Sequence, residues 1–183
     1  MFEILLARIG TALREAALPY MIIGGQAVLL YGEPRLTKDI DITLGVGLER
    51  LSDVLNAARA AGLNPLVDPE IFTRQTLVLP CSDRESEIRV DLILSFSPYE
   101  KLAISRARKL TIGTTELSFA SVEDLIIHKL IAGRPRDLED VKGVLLRNEA
   151  ADLDYIRHWL SQFTDTTGEQ YAERLDGILA EIS

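Results

Sequence analysis

At 183 residues the chain can bury a core as one domain, or as one domain with a helical appendix, and its composition is that of a globular protein without low-complexity tracts. No apolar run is long enough to span a bilayer, and a single cysteine, Cys81, excludes an intrachain disulfide, makes a zinc site implausible and fits a reducing cytoplasm. The formal net charge of −8 is uneven: residues 111–183 hold 14 acidic and 7 basic side chains, residues 1–110 hold 14 and 13, a balance that counts against non-specific nucleic-acid binding.

The first segment, Met1-Phe-Glu-Ile-Leu-Leu-Ala-Arg8, lacks a basic region before an apolar core and reads as a helix rather than a secretory leader. Leu5, Ile9, Ala12, Leu13 and Ala16 recur at helical spacing, which predicts an amphipathic helix over residues 3–17, ended by Pro19. Met21–Ile23 reads as a short buried strand and Gly25–Tyr31 as a short helix. Gly32 then stands where a left-handed cap is expected, with Pro34 preventing continuation. Asp39–Leu44 is the second strand. Leu48, Leu51, Leu55 and Ala58 define another helix, closed by Gly62 and a turn at Asn64-Pro65.

Two stretches of strand character follow, Ile71–Leu79 and Glu87–Leu94, separated by the turn-rich Pro80-Cys-Ser-Asp-Arg84 as a hairpin with a longer loop. Cys81 falls in that loop. A short helix around residues 99–107 and a hairpin across 109–119, turning near Gly113, complete the mixed part. From Ser121 the chain reads as helical, with a capping-box-like start at Ser121-Val-Glu-Asp124 and a break at Gly133-Arg-Pro-Arg136. Further helices start near Asp137, run through Leu153, Ile156, Trp159, Leu160 and Phe163, and then through Tyr171, Leu175, Ile178 and Ile182. The expected fold class is α+β: a small mixed sheet flanked by helices over residues 1–120, then a C-terminal helical bundle over 121–183, with a soft boundary.

The chemistry concentrates early. Strand side chains alternate with period two, so Ile40, Ile42 and Leu44 point one way and Asp39 and Asp41 the other, side by side. Two such carboxylates repel unless a cation lies between them, and hard divalent cations prefer oxygen ligands. Gly24-Gly25, between a strand and a helix N-terminus, leaves backbone amides free to hold phosphate. In the strand of residues 87–94, Arg89 and Asp91 share the face opposite Ile88, Val90, Leu92 and Leu94, so Asp91 is a third strand carboxylate. Lys101, Arg106, Arg108 and Lys109 read as solvated charges, and His128 and His158 as structural or surface residues.

In order and spacing these residues resemble the nucleotidyltransferase superfamily, the polymerase-beta-like fold: Gly24-Gly25, then Asp39-Ile-Asp41-Ile42, then Asp91 within Arg89-Val-Asp-Leu-Ile93. The similarity extends to the minimal bacterial group that includes AbiEii-type toxins. It rests there on Arg35-Leu-Thr-Lys-Asp39, Glu123-Asp-Leu125, Lys129-Leu130 and Arg134-Pro-Arg-Asp-Leu-Glu-Asp140, and runs from about residue 18 to 146.

The resemblance implies that Asp39, Asp41 and Asp91 hold two magnesium ions (Mg2+), about 3.5–4 Å apart, flanking an in-line displacement. It implies that Gly24 and Gly25 grip the terminal phosphates of a nucleoside triphosphate (NTP), with Arg35 and Lys38 as charge partners, and that Lys129 points at the nucleotide. Asp137 reads equally as a helix cap or as catalytic support. The implied activity is transfer of a nucleoside monophosphate, with release of pyrophosphate, to an RNA (a tRNA end) or a protein hydroxyl, within a toxin–antitoxin system that supplies a cognate protein partner. No membrane is involved. The alternatives are a non-catalytic nucleotide-binding or antitoxin-like module, and transfer to a small molecule of the aminoglycoside kind.

Overall fold

The computed structural model describes residues 2–34 and 36–182. It divides into two compact units, one formed by residues 1–26 and 36–120 and the other by residues 27–35 and 121–183. The chain passes from the first to the second within a single short helix.

The first unit contains the whole sheet. Helix α1 (Phe2–Glu15) leads to β1 (Tyr20–Ile23), α2 (Gly24–Tyr31) and β2 (Asp39–Leu44). A 3-10 turn at Leu48–Arg50 opens α3 (Leu51–Ala60), and β3 (Leu63–Pro65), α4 (Pro69–Thr76), β4 (Val78–Asp83) and β5 (Arg89–Leu94) follow. Helix α5 (Pro98–Ser105) and the hairpin β6 (Arg108–Ile112) and β7 (Thr115–Phe119) close the unit. The seven strands form one mixed sheet in the order β3-β4-β5-β2-β1-β7-β6. Two pairings are parallel, β2 with β5 and β1 with β7, and the rest are antiparallel. The sheet is central and buried: Met21, Ile22, Ile40, Ile42, Val90 and Leu92 are essentially inaccessible.

Three expectations fail here, each for a local reason. The stretch Ile71–Leu79 is not a strand, because α4 takes residues 69–76. The Asp68 carboxylate accepts the Ile71 N–H at 2.9 Å as an N-cap, Pro69 occupies the first turn, and Leu77 ends the helix in a left-handed conformation. The Pro80–Ser82 segment, expected as a turn, is instead the middle of β4, with Cys81 buried against Val90; the turn falls at residues 84–88. Asn64-Pro65 belongs to β3, paired with Ser82 and Cys81.

Gly32 does not adopt positive φ. A Cβ there would meet Val144 Cγ2 at 3.1 Å and the Val28 carbonyl at 3.3 Å, so close packing, not a left-handed cap, selects glycine.

The second unit comprises α6 (Val122–Ala132), α7 (Pro135–Arg147), α8 (Leu153–Thr167) and α9 (Tyr171–Ile182) around Ile126, Leu130, Val141, Ile156, Leu160 and Leu175. Ser121 caps α6 by accepting the Asp124 N–H. Helix α6 stops at Gly133, at φ 62°, and its last carbonyls are met by Arg174, whose Nη1 donates to Leu130 O at 2.6 Å and Ile131 O at 3.1 Å. The N-cap of α7 is Arg134, not Asp137, which lies buried in the first turn. Among the described residues, no helix is long and apolar enough to cross a membrane.

Candidate active site

The site in the first unit starts where β1 turns into α2. Gly24 sits at φ +63°, and a Cβ at that position would collide with the Asp41 carboxylate. Only glycine combines that backbone with so close an approach. The first turn of α2 carries no acidic side chain of its own. Its leading N–H groups have no partner within the helix, which is the general basis of anion binding at helix N-termini.

Strand β2 supplies the carboxylates and β5 runs parallel beside it, in register: Asp39 is level with Arg89 and Asp41 with Asp91. Neighbouring strands lie about 4.8 Å apart, so Asp41 and Asp91 start from adjacent α-carbons on one face of the sheet. Ile40, Ile42, Val90 and Leu92 face the other way and are buried, which fixes the register and keeps the charged set on its own side. Asp39 is exposed; Asp41 and Asp91 are half-buried. Thr37, itself 8% exposed, directs its hydroxyl to the Asp39 carbonyl at 3.2 Å and Oδ1 at 3.4 Å. Lys38 is exposed beside Asp39, and Arg35 lies outside the described residues.

Among the described residues, Arg89 stands beside these carboxylates. Arg89 Nε is 3.0 Å from both Asp91 Oδ1 and Asp91 Oδ2. The guanidinium is held more firmly protonated than usual, first by the Asp91 hydrogen bond and charge and then by the charges of Asp39 and Asp41. The same electrostatic surroundings reach β4: burial, and then the Asp91 charge, push the Cys81 thiol up to about 12. Such a thiol is un-ionised at neutral pH and no nucleophile.

Three carboxylates on one sheet face are the right donors for a hard divalent cation. Among the described residues, however, no three Asp, Glu, His or Cys side chains are gathered as a metal-ligand cluster. Both Asp91 oxygens are engaged by Arg89. The donor set fits a divalent ion by chemistry and strand placement, with the third carboxylate turned to an internal cation.

Lys129 and Asp137 belong to the second unit. Lys129 Nζ donates to Asp137 Oδ1 and Asp140 Oδ2, each at 2.8 Å, and all three residues are buried. Arg134 Nε adds a 2.6 Å bond to Asp137 Oδ2. Burial alone would raise the Asp137 carboxyl, but the Arg134 and Lys129 hydrogen bonds outweigh it and hold it below the usual carboxylate range. The lysine, which the resemblance has pointing at the nucleotide, is therefore neutralised twice within the helical unit.

Sequence reasoning missed Arg89 and Thr37 as partners of the carboxylates. Arg89 had a signal: residues two apart on a strand share a face, so it had to stand beside Asp91.

Residues 5–176 match the family described as a nucleotidyltransferase of unknown function (DUF6036). The chain belongs to that family. No curated protein matches the sequence. Among solved structures, the chain is similar to the antibiotic-resistance factor ANT(2'')-Ia, with a TM-score of 0.61 and 16% identity over 91% of this chain and 93% of the other. It is also similar to an antigenic nucleotidyltransferase-like protein from Paracoccidioides brasiliensis (TM-score 0.57, 13% identity, 95% and 91% covered). A third, the lincosamide antibiotic adenylyltransferase LnuA, gives a TM-score of 0.50 at 14% identity over 72% of this chain and 89% of that one. These likenesses support the fold, and the family match makes this nucleotidyltransferase an enzyme of nucleotidyl transfer.

Proposed function

We propose that the protein is a divalent-metal-dependent transferase that moves a nucleoside monophosphate from an NTP to a hydroxyl of a small, cationic acceptor. The observation that carries the reading is the in-register placement of Asp41 and Asp91 on one sheet face, against the Gly24 turn. In this reading the acceptor oxygen bonds to the α-phosphorus, the bond from that phosphorus to the bridging oxygen breaks, and pyrophosphate leaves. Gly24 and Gly25 present backbone amides to the terminal phosphates, with Lys38 as a charge partner and Arg35 given the same role by the resemblance. Asp39 and Asp41 would hold the metal beside the triphosphate, and Asp91 would complete a second metal site and take up the acceptor hydroxyl's proton. Bound magnesium supplies charge neutralisation at the phosphates and lowers the cost of ionising the hydroxyl. Within the helical unit, Lys129 is held by Asp137 and Asp140.

The small-molecule acceptor is favoured by a net charge of −8, which attracts ammonium-bearing compounds and repels nucleic acid. It also fits structural neighbours described as acting on aminoglycoside and lincosamide antibiotics. A second reading keeps an RNA or protein acceptor within a toxin–antitoxin pair of the AbiEii kind, resting on the segments Arg35–Asp39 and Arg134–Asp140. The assay is one incubation series. Purified protein, magnesium and each labelled NTP are mixed with aminoglycosides, bulk tRNA or cell lysate. Label on an aminoglycoside that disappears in Asp41→Ala supports the first reading, and label on tRNA or protein selects the second. Nucleotide binding without label on any acceptor leaves only a binding module.

A further inference from the structure

We propose that Arg89 is a built-in counter-ion that occupies Asp91 until a divalent cation takes its place, so that metal binding and the release of Arg89 are one event. This rests on the reading of Asp39, Asp41 and Asp91 as metal carboxylates.

Two features of the geometry lead to it. Arg89 and Asp91 lie two residues apart on β5, on the face shared with Asp39 and Asp41 across the parallel pairing, so Arg89 stands on the face that carries the three carboxylates. The guanidinium Nε is equidistant, at 3.0 Å, from both Asp91 oxygens. A guanidinium held at 3.0 Å from both oxygens puts a positive charge where a metal bound by that carboxylate would sit, so the two cations compete for Asp91. Like charges on neighbouring strands also repel, and Arg89 offsets that repulsion in the metal-free protein. The Arg89 side chain is 55% exposed while that of Asp91 is 17% exposed. The arginine can therefore swing into water without unpacking its surroundings, whereas the carboxylate stays in the sheet. The exchange is of one cation for another at a fixed acid, and no covalent step is involved.

Its consequence is a tax on metal affinity, because a metal-binding conformation that must first be vacated is populated only in part. Removing the guanidinium charge raises divalent affinity. Mn2+ binding is measured by titration calorimetry and by the loss of the free-ion electron paramagnetic resonance signal, for wild type, Arg89→Gln, Arg89→Lys and Asp41→Ala. The expected result is binding on the order of ten-fold tighter in Arg89→Gln than in wild type, with Arg89→Lys near wild type. In a second measurement, the Arg89 Nε–H proton resonance of the metal-free protein is slow to exchange and moves to the free-guanidinium position on addition of Mg2+.

Equal or weaker Mn2+ binding by Arg89→Gln, with wild-type binding abolished in Asp41→Ala, overturns the counter-ion role and leaves the metal site standing. An Arg89 resonance unchanged by saturating Mg2+ does the same. Absence of Mn2+ binding in both wild type and Arg89→Gln removes the metal-site reading, and this inference with it. Binding by Arg89→Gln alone supports both.

Discussion

Gly24, the first residue of α2, and Asp41, on β2, press on one another, so neither can change alone. Gly24→Ala puts a methyl group into the Asp41 carboxylate and forces alanine to φ +63°. The backbone strain alone is about 1–2 kcal/mol, and the displaced carboxylate adds to it. The expected outcome is a melting temperature lowered by several degrees, read by circular dichroism, together with loss of nucleotidyl transfer. In the double variant with Asp41→Ala the stability loss is partly relieved, because the colliding oxygen is gone. Cys81 gives a second test at this scale. Its thiol is buried and pushed up to about 12, so iodoacetamide leaves the native protein unlabelled at pH 8 and reacts fully once the chain is unfolded in denaturant.

Helices α6 and α7 are tied by Lys129, Asp137 and Asp140, and this cluster sets an acid limit on the helical unit. Asp137 is held below its unfolded value, so its contribution to stability is complete above about pH 4 and is lost as pH falls through the folded value. Thermal melts between pH 7 and pH 2 are expected to show a steep loss below pH 4 that is shallower in Asp137→Asn. Lys129→Ala leaves two buried carboxylates facing each other and costs about 3–5 kcal/mol, measured by urea unfolding. Activity is then compared under conditions where the variant remains folded. A buried, doubly paired lysine has no signature in an apolar stripe, since the same spacing describes a lysine reaching into solvent. Its partners come from the next helix, eight and eleven residues on.

The sheet strands that carry the carboxylates were legible because their alternation is strict: Ile40 and Ile42 against Asp39 and Asp41, Val90 and Leu92 against Arg89 and Asp91. The region between them was not. Ile71 and Phe72 have strand-like composition yet stand exposed on α4, where Asp68 and Pro69 set the conformation more strongly than β-propensity does. Pro80 punctuates like a turn residue, but the chain continues through it as β4. Alternation puts Arg89 beside Asp91 but does not reveal that its Nε reaches both carboxylate oxygens.

At the level of the whole molecule, charge is partitioned. Residues 27–35 hold one acidic and one basic side chain and residues 121–183 hold 13 and 7, so the helical unit carries −6 of the net −8. A field of that sign attracts cationic acceptors and is screened by salt over a Debye length of about 8–10 Å. For an aminoglycoside acceptor, kcat/KM is expected to fall as sodium chloride rises from low to physiological concentration, with kcat little changed. An acceptor rate that rises with salt points to a polyanion instead.

The pairing of β2 with β5 joins segments roughly fifty residues apart in sequence, with α3, β3, α4 and β4 looped out between them. Closing so long a loop is entropically slow, so this contact belongs among the late events of folding. A nascent or partly denatured chain therefore holds Asp41 and Asp91 far apart. On the proposed reading, competence to bind a divalent ion arrives only with the finished sheet, and ligand capture would double as a readout of complete folding.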